Sequence, residues 1–220
     1  MRKKFAIFKK EGIFCPNLLE GIMHTEFFEK NPFEPRDSDD GEWRTSKNII
    51  TELPKEIWFV SKDKKYDFDF RWEDGGFFVS LDFLNLLKKF EIRNFQYTKL
   101  NMVNKHKESI SSKEYYFVRF YNKLEDVIDM EKSNIEIYKQ NGHIKKIWDL
   151  QLKSKAMLPE VFQINNIRLF RVMFCSEEFK NEVEKLKLKG IIFVQMKRIC
   201  INHNNVAVQI VFSGYSNREI

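Results

Sequence analysis

Aromatic and charged residues alternate without a break along YDFDFRWE at residues 66–73: Tyr66, Phe68, Phe70 and Trp72 on one parity, Asp67, Asp69, Arg71 and Glu73 on the other. Period two is the signature of a strand with one face buried and one in water. The pattern predicts a half-buried strand over 66–72, turned by Gly75 and Gly76 into an apolar strand. Further apolar runs predict strands over 4–8, 56–61, 114–121, 134–138, 144–152, 167–173 and 206–212. Asn141–Gly142 is a hairpin-turn signal between two of them.

The helical signal is repeated. FFVSLDFLNLLKKFEIRNFQYTKL (77–100) aligns without a gap on MFCSEEFKNEVEKLKLKGIIFVQM (173–196), at an offset of 96. Phe78 falls on Phe174, Ser80 on Ser176, Phe83 on Phe179, Asn85 on Asn181 and Lys89 on Lys185. In each copy a serine stands where its hydroxyl can accept an orphan helix N–H. An acid, Asp82 or Glu178, follows in the first turn, where the helix dipole favours it. Apolar residues then recur at helical spacing, as Phe83, Leu87, Phe90 and Phe179, Val183, Leu186. Asn94 and Gly190 are the expected helix ends, since both tolerate a left-handed conformation. The expectation is an α+β, strand-rich single domain over 1–220. It contains two related strand–helix–strand units, about 77–100 and 173–196, in halves of about 1–104 and 114–220, and a possible internal duplication.

Composition supports a real core: 43% of the 220 residues are hydrophobic, 22 of them Phe. No apolar run approaches a bilayer span. The basic start contains an apolar piece, 5–8, too short for a signal peptide and interrupted by Lys9 and Lys10. The chain is therefore expected to begin at Met1 and to stay in the cytoplasm. Cys15, Cys175 and Cys200 make an odd count without a CxxC, and His24, His106, His143 and His203 are scattered singly. That is no metal-ligand spacing, and reduced buried thiols are expected.

The net charge of +6 raises a nucleic-acid reading, which its distribution weakens. Residues 20–44 hold eight acids and three bases, a local −5 that leaves +11 on the remainder. The bases are dispersed, with no dense block and no Arg-rich arm. The acidic stretch at 31–41 has two prolines and reads as an exposed loop. Trp43 follows it directly, either as an interface anchor beside Arg44 or as a core pin. Trp58, Trp72 and Trp148 stand in strand-like runs and are expected in the core.

Catalytic motifs are missing from the sequence: no phosphate-binding loop, GxSxG, HExxH or EF-hand loop occurs. The best enzymatic candidate is the charged parity of 66–73. Asp67 and Asp69 would project about 7 Å apart from one strand face, with Glu73 beyond them. A metal-dependent phosphodiesterase or nuclease could use that set. Arg71 among the acids opposes a cation, and Lys62, Lys64 and Lys65 offer them partners, so a solvated sheet surface is the simpler reading. Asp126, Asp129 and Glu131 form a second acidic cluster that a capped turn explains equally well.

Several pieces, taken in order, are similar to a known group. They are LLEGI (18–22), LPKEIWFVS (53–61), GGFFVSLDFLNLL (75–87), YYFVRFYN with IDMEKS (115–133) and FRVMFCSEEFKNEVEKLKLKGIIF (170–193). With them the chain resembles the bacterial immunity proteins of polymorphic toxin systems, most closely immunity protein family 43, with family 11 a near neighbour. The resemblance implies a non-catalytic inhibitor that binds and neutralises a cognate toxin domain in bacterial competition. It implies no cofactor and no metal, and it carries over no individual site residue. The expected partner-binding residues come from charge instead: Asp37, Asp39, Asp40, Glu42 and Trp43, with Asp67, Asp69 and Glu73. A metal nuclease and a nucleic-acid binder using the Lys-rich C-terminal half are the competing readings.

Overall fold

A computed structural model describes residues 3–35, 43, 51–73, 75–121, 123–166 and 168–196. In chain order the elements are β1 (Lys4–Lys9), β2 (Gly21–His24), β3 (Glu56–Ser61), β4 (Phe70–Glu73), β5 (Gly76–Ser80), α1 (Leu81–Lys89), β6 (Phe95–Val103) and β7 (Tyr115–Phe120). After these come β8 (Asn134–Ile137), β9 (Ile144–Asp149), β10 (Val161–Phe162), β11 (Met173–Ser176), α2 (Glu177–Lys185) and β12 (Ile191–Gln195). The described part is thus strand-rich α+β, with a six-stranded sheet β2-β3-β6-β7-β5-β4, a four-stranded sheet β10-β11-β1-β12 and the hairpin β8-β9.

The two helices start and stop by the same means. Ser80 and Ser176 accept the N–H of Phe83 and Phe179 at 3.3 and 3.1 Å. At the other end Ile92 and Leu188 N–H reach back to Leu87 and Val183 carbonyls, and Glu91 and Lys187 N–H to those of Lys88 and Glu184. This pair of bonds puts the residue after the C-cap in the left-handed region, and Glu91 and Lys187 have φ of 52° and 54°. The helices therefore end before Asn94 and Gly190, because the terminal carbonyls are already satisfied by this tighter turn.

Strand pairing follows the same offset. β7 lies between β5 and β6 and antiparallel to both, as β1 lies between β11 and β12. Phe117 faces Phe78 and Thr98, and Ala6 faces Phe174 and Val194, the residues 96 positions further on. One apolar cluster takes Phe83, Leu84, Leu87, Phe179 and Val183 from the helices. It adds Phe77 and Val79 from the larger sheet, and Ile7, Met173 and Cys175 from the smaller. The opposite face of each sheet is covered separately. Loops and Tyr66, Phe68 and Trp43 lie over Phe78, Phe117 and Leu100, while β9 and its flanks lie over Ala6, Phe174 and Val194.

Three predicted strands need correction or lie out of view. The strand expected at 66–72 begins only at Phe70, because the N–H groups of Tyr66, Asp67 and Asp69 donate to three separate segments instead of one neighbour. The run at 168–172 is a turn, with Leu169 N–H on Asn166 O and Val172 N–H on Leu169 O. The strand expected at 206–212 falls outside the described residues. Trp148, expected in the core, is 42% exposed. Asp149 and Ile147 face Asn134 and Ile135, which leaves Trp148 as an extra residue in a bulge that turns it outward. Among the described residues no helix is long and apolar enough to cross a membrane.

Left-handed Glu91 and Lys187 each carry a Cβ in a conformation that costs L-residues about 1 kcal/mol. Glu91→Gly and Lys187→Gly are each expected to raise the unfolding free energy by about 0.5–1 kcal/mol. Urea denaturation of the two variants and their combination checks both sign and parity.

Candidate functional site

Half of the charged parity of 66–73 does not face water. Arg71 is 1% exposed and Asp69 2%. The backbone here is clasped from three sides: Tyr66 N–H donates to Ile110 O, Asp67 N–H to Phe14 O and Asp69 N–H to Lys189 O, at 2.8–2.9 Å. The last contact needs Gly190 behind it, at φ +73°, where a Cβ would lie 2.8 Å from the Cβ of Phe68. Tyr66 buries its ring and hydrogen-bonds Ser61 Oγ at 2.7 Å. Burial, then the hydrogen bond to Asp63, pushes its hydroxyl pKa far up.

The buried charges are paired, as burial requires. Lys113 Nζ stands 2.9 Å from both Asp67 Oδ1 and Asp69 Oδ2. Lys189 adds its ammonium at 2.6 Å from Asp67 Oδ2 and its backbone N–H at 2.5 Å from Asp69 Oδ2. Arg71 turns the other way. Its two amino groups donate to Pro16 O at 3.0 Å and Asn17 O at 3.2 Å, and it forms an ion pair with Glu73. A planar fork serves two carbonyls and a carboxylate from donors in fixed directions, where a lysine offers a single point charge. The three acids of the metal-nuclease reading therefore do not converge. Asp67 and Asp69 share Lys113, which occupies the position a cation would take, and Glu73 belongs to Arg71. Among the described residues no group of three or more His, Cys, Asp or Glu is arranged to hold a metal. Asp129, of the second acidic cluster, accepts the N–H of Lys132 at 3.2 Å and pairs with its ammonium at 3.1 Å, closing a turn.

What Arg71 holds is the loop that covers this network. Gly12 and Cys15 exchange two backbone hydrogen bonds of 3.0 Å, closing a tight turn with Ile13 and Phe14 at its tip. Cys15 is buried, and burial raises its thiol pKa. Lys9 Nζ reaches Asn17 Oδ1 at 2.6 Å. Yet Ile13 is 91% exposed and Leu18 77%, and Phe14 carries the Lys65 ammonium 4.9 Å above its ring. Sequence patterning passed over this loop. Its signal is apolar Ile13, Phe14 and Leu18 set among Gly12, Pro16 and Asn17, residues that mark a turn rather than a buried element.

Of the charge-selected partner residues, Asp37, Asp39, Asp40 and Glu42 lie outside the described residues. Trp43 is in the core, edge-on to Phe117 at 5.7 Å, with its carbonyl held by the Arg119 guanidinium. Arg119 also donates to Thr51 O and, at 3.0 Å, to Gln96 Oε1, and burial lowers its pKa. The structure thus favours the core-pin reading of Trp43. Asp67 and Glu73 keep partial exposure, and Asp69 keeps none to speak of.

Among the described residues, the charges of this network pair with one another and hold the loop above them. A family model described as immunity protein 43 matches residues 8–207. The chain belongs to that family. No curated protein matches it. For this immunity protein 43 member, the match spans β2–β12, both helices and the loop over Arg71, so the buried charge network lies inside the family's own frame.

The network makes stability depend on pH at both ends. Hydrogen bonds from Lys189 and Lys113 lower the Asp67 pKa. Its contribution is full above the ordinary value of 3.8 and is lost as pH falls through the folded value. For Lys113 burial opposes the charge, but the Asp69 and Asp67 bonds outweigh it and raise the pKa above 10.5. Its contribution is full below 10.5 and is lost only as pH rises through the raised value. The contribution of these two groups to the denaturation midpoint should be flat between these limits and fall outside them. At neutral pH, Lys113→Met should cost about 3 kcal/mol by removing the cation that pairs with buried Asp69. Adding Asp69→Asn should restore most of that, as measured by urea unfolding.

Proposed function

We propose that this protein binds and neutralises a cognate toxin domain by protein–protein association, without catalysis, in the cytoplasm of the cell that produces the toxin. Membership of the immunity protein 43 family carries this reading. It is supported by the use of the charges Asp67, Asp69, Arg71 and Glu73 as internal support.

The acidic stretch is proposed as one contact. Asp37, Asp39, Asp40 and Glu42 precede Trp43, whose ring and carbonyl are fixed against β7. Concentrated negative charge beside a fixed anchor suits steering of a basic partner surface. Asp67 and Glu73 are proposed at most as marginal contacts, because their carboxylates already have cationic partners. We also read 1–220 as a single domain built by duplication of a strand–helix–strand unit. The matched caps and registers support this, with β1 taking in one half the place β7 takes in the other.

The test uses the C-terminal domain of the secreted toxin encoded beside the gene. Calorimetry should give one-to-one binding, and the complex should have lost the toxin's activity. Failure of the wild-type protein to bind would sink the proposal. With Trp43 kept, Asp37→Asn/Asp39→Asn/Asp40→Asn/Glu42→Gln should slow association about tenfold at low salt and much less at high salt. An unchanged rate would remove the acidic stretch from the interface.

A further inference from the structure

We infer that the loop over Arg71 is a second, pre-shaped docking element for the toxin domain, and that the surface it enters is an apolar depression with an acidic rim. This rests on the reading of the protein as a toxin-binding inhibitor.

Two observations about the same loop carry it. The backbone is held far more firmly than a connecting loop needs. A guanidinium that is itself almost wholly buried donates to Pro16 O and Asn17 O, Gly12 and Cys15 close a two-bond turn, and Phe14 O accepts from Asp67 N–H. The side chains raised by that backbone nevertheless point the wrong way for stability. Ile13 and Leu18 are among the most exposed large apolar residues described. A loop shaped only to cover the network would turn these inward and place polar residues outside. Rigid apolar groups held out in water lose little freedom on binding, which is the arrangement that raises affinity.

The surroundings identify the partner's chemistry. Exposed Lys65 lies over the Phe14 ring, exposed Lys10 donates its backbone N–H to Gly190 O, and Lys189 lies beside Asp67. Lys62 and Lys64, in the 62–65 turn that meets the end of this loop, are exposed as well, while Lys189 and Asp67 neutralise each other; against these cations stand the exposed carboxylates of Glu11 and Glu20. The rim is therefore basic, and like charge opposite it would repel. An acidic rim around an apolar hollow is the complementary surface. The acidic stretch before Trp43 has the opposite sign, so two contacts of unlike charge would fix the toxin domain in one orientation.

The probe is the purified toxin domain encoded beside the gene. Ile13→Asp/Leu18→Asp should bind it at least 100-fold more weakly, with circular dichroism and melting temperature unchanged. Lys10→Glu/Lys65→Glu should weaken binding as well, more at low salt than at high. Wild-type binding with an unaffected Ile13→Asp/Leu18→Asp variant would overturn the docking element while leaving toxin binding in place. No wild-type binding would overturn both. Tighter binding by the lysine variant would overturn the acidic rim. A wild-type dimer that Ile13→Asp/Leu18→Asp dissolves without change in toxin affinity would assign the loop to self-association instead.

Discussion

Contact between α1 and α2 is the constraint on which the described architecture depends. Each helix is nine residues long, too short to hold itself together in water. Each must bury its apolar face, and the sheet behind it covers only part of that face. The remainder is covered by the other helix: Phe83 meets Phe179 edge-on at 5.8 Å, Phe90 meets Phe179 at 5.2 Å, and Lys89 pairs with Glu182. Phe83 and Phe179 are the two residues 96 apart that begin the apolar stripes. The six-stranded and four-stranded sheets thus share one central cluster, and neither would keep its helix dry without the other.

Chain connectivity adds a second constraint. β7 follows β6 directly, so the pairing β5-β7-β6 is nearly local. Its counterpart β11-β1-β12 draws its middle strand from the start of the chain. The same register is reached by contacts of very different sequence separation, and long-range pairings are the slow ones to form. β1 therefore has no ladder partner until β11 and β12 exist. The cluster shared by the helices cannot be completed before then, because it includes Ile7.

Much of this was legible in the sequence because it is local. Serine caps, first-turn acids and helical spacing are decided within a dozen residues, and Ser80, Ser176, Phe83 and Phe179 act as their positions predicted. The strand at Glu56–Ser61 and the Asn141–Gly142 turn were legible for the same reason. What was not legible depends on partners distant in the chain. Alternation over 66–73 placed Asp69 and Arg71 on a wet face, yet Lys113, Lys189 and the carbonyls of Pro16 and Asn17 close over them. A period-two pattern reports which residues share a side and cannot report that a loop covers both sides. Trp148 failed by a different route, since it is one of two extra residues in β9, each of which reverses parity, and no pattern marks where a bulge falls.

The candidate site moved for a physical reason. Buried charge is a poor contact surface, because it already holds the partners that make its burial tolerable. Arg71, Asp69 and Lys113 are better understood through what they hold in place. Arg71 donates to the two backbone carbonyls of the loop at 16–17, and Lys9 joins it on that of Asn17. Replacing that fork with an apolar side chain would loosen the loop at 16–17 while leaving Ile13, Phe14 and Leu18 unchanged in identity. The exposed apolar residues would then sample many positions, and binding would have to supply the order that the arginine now supplies in advance. The side chains of this charge network are occupied with one another and with the backbone of the loop. The network fixes the shape of the surface above it, and on the proposed reading recognition would fall to that surface.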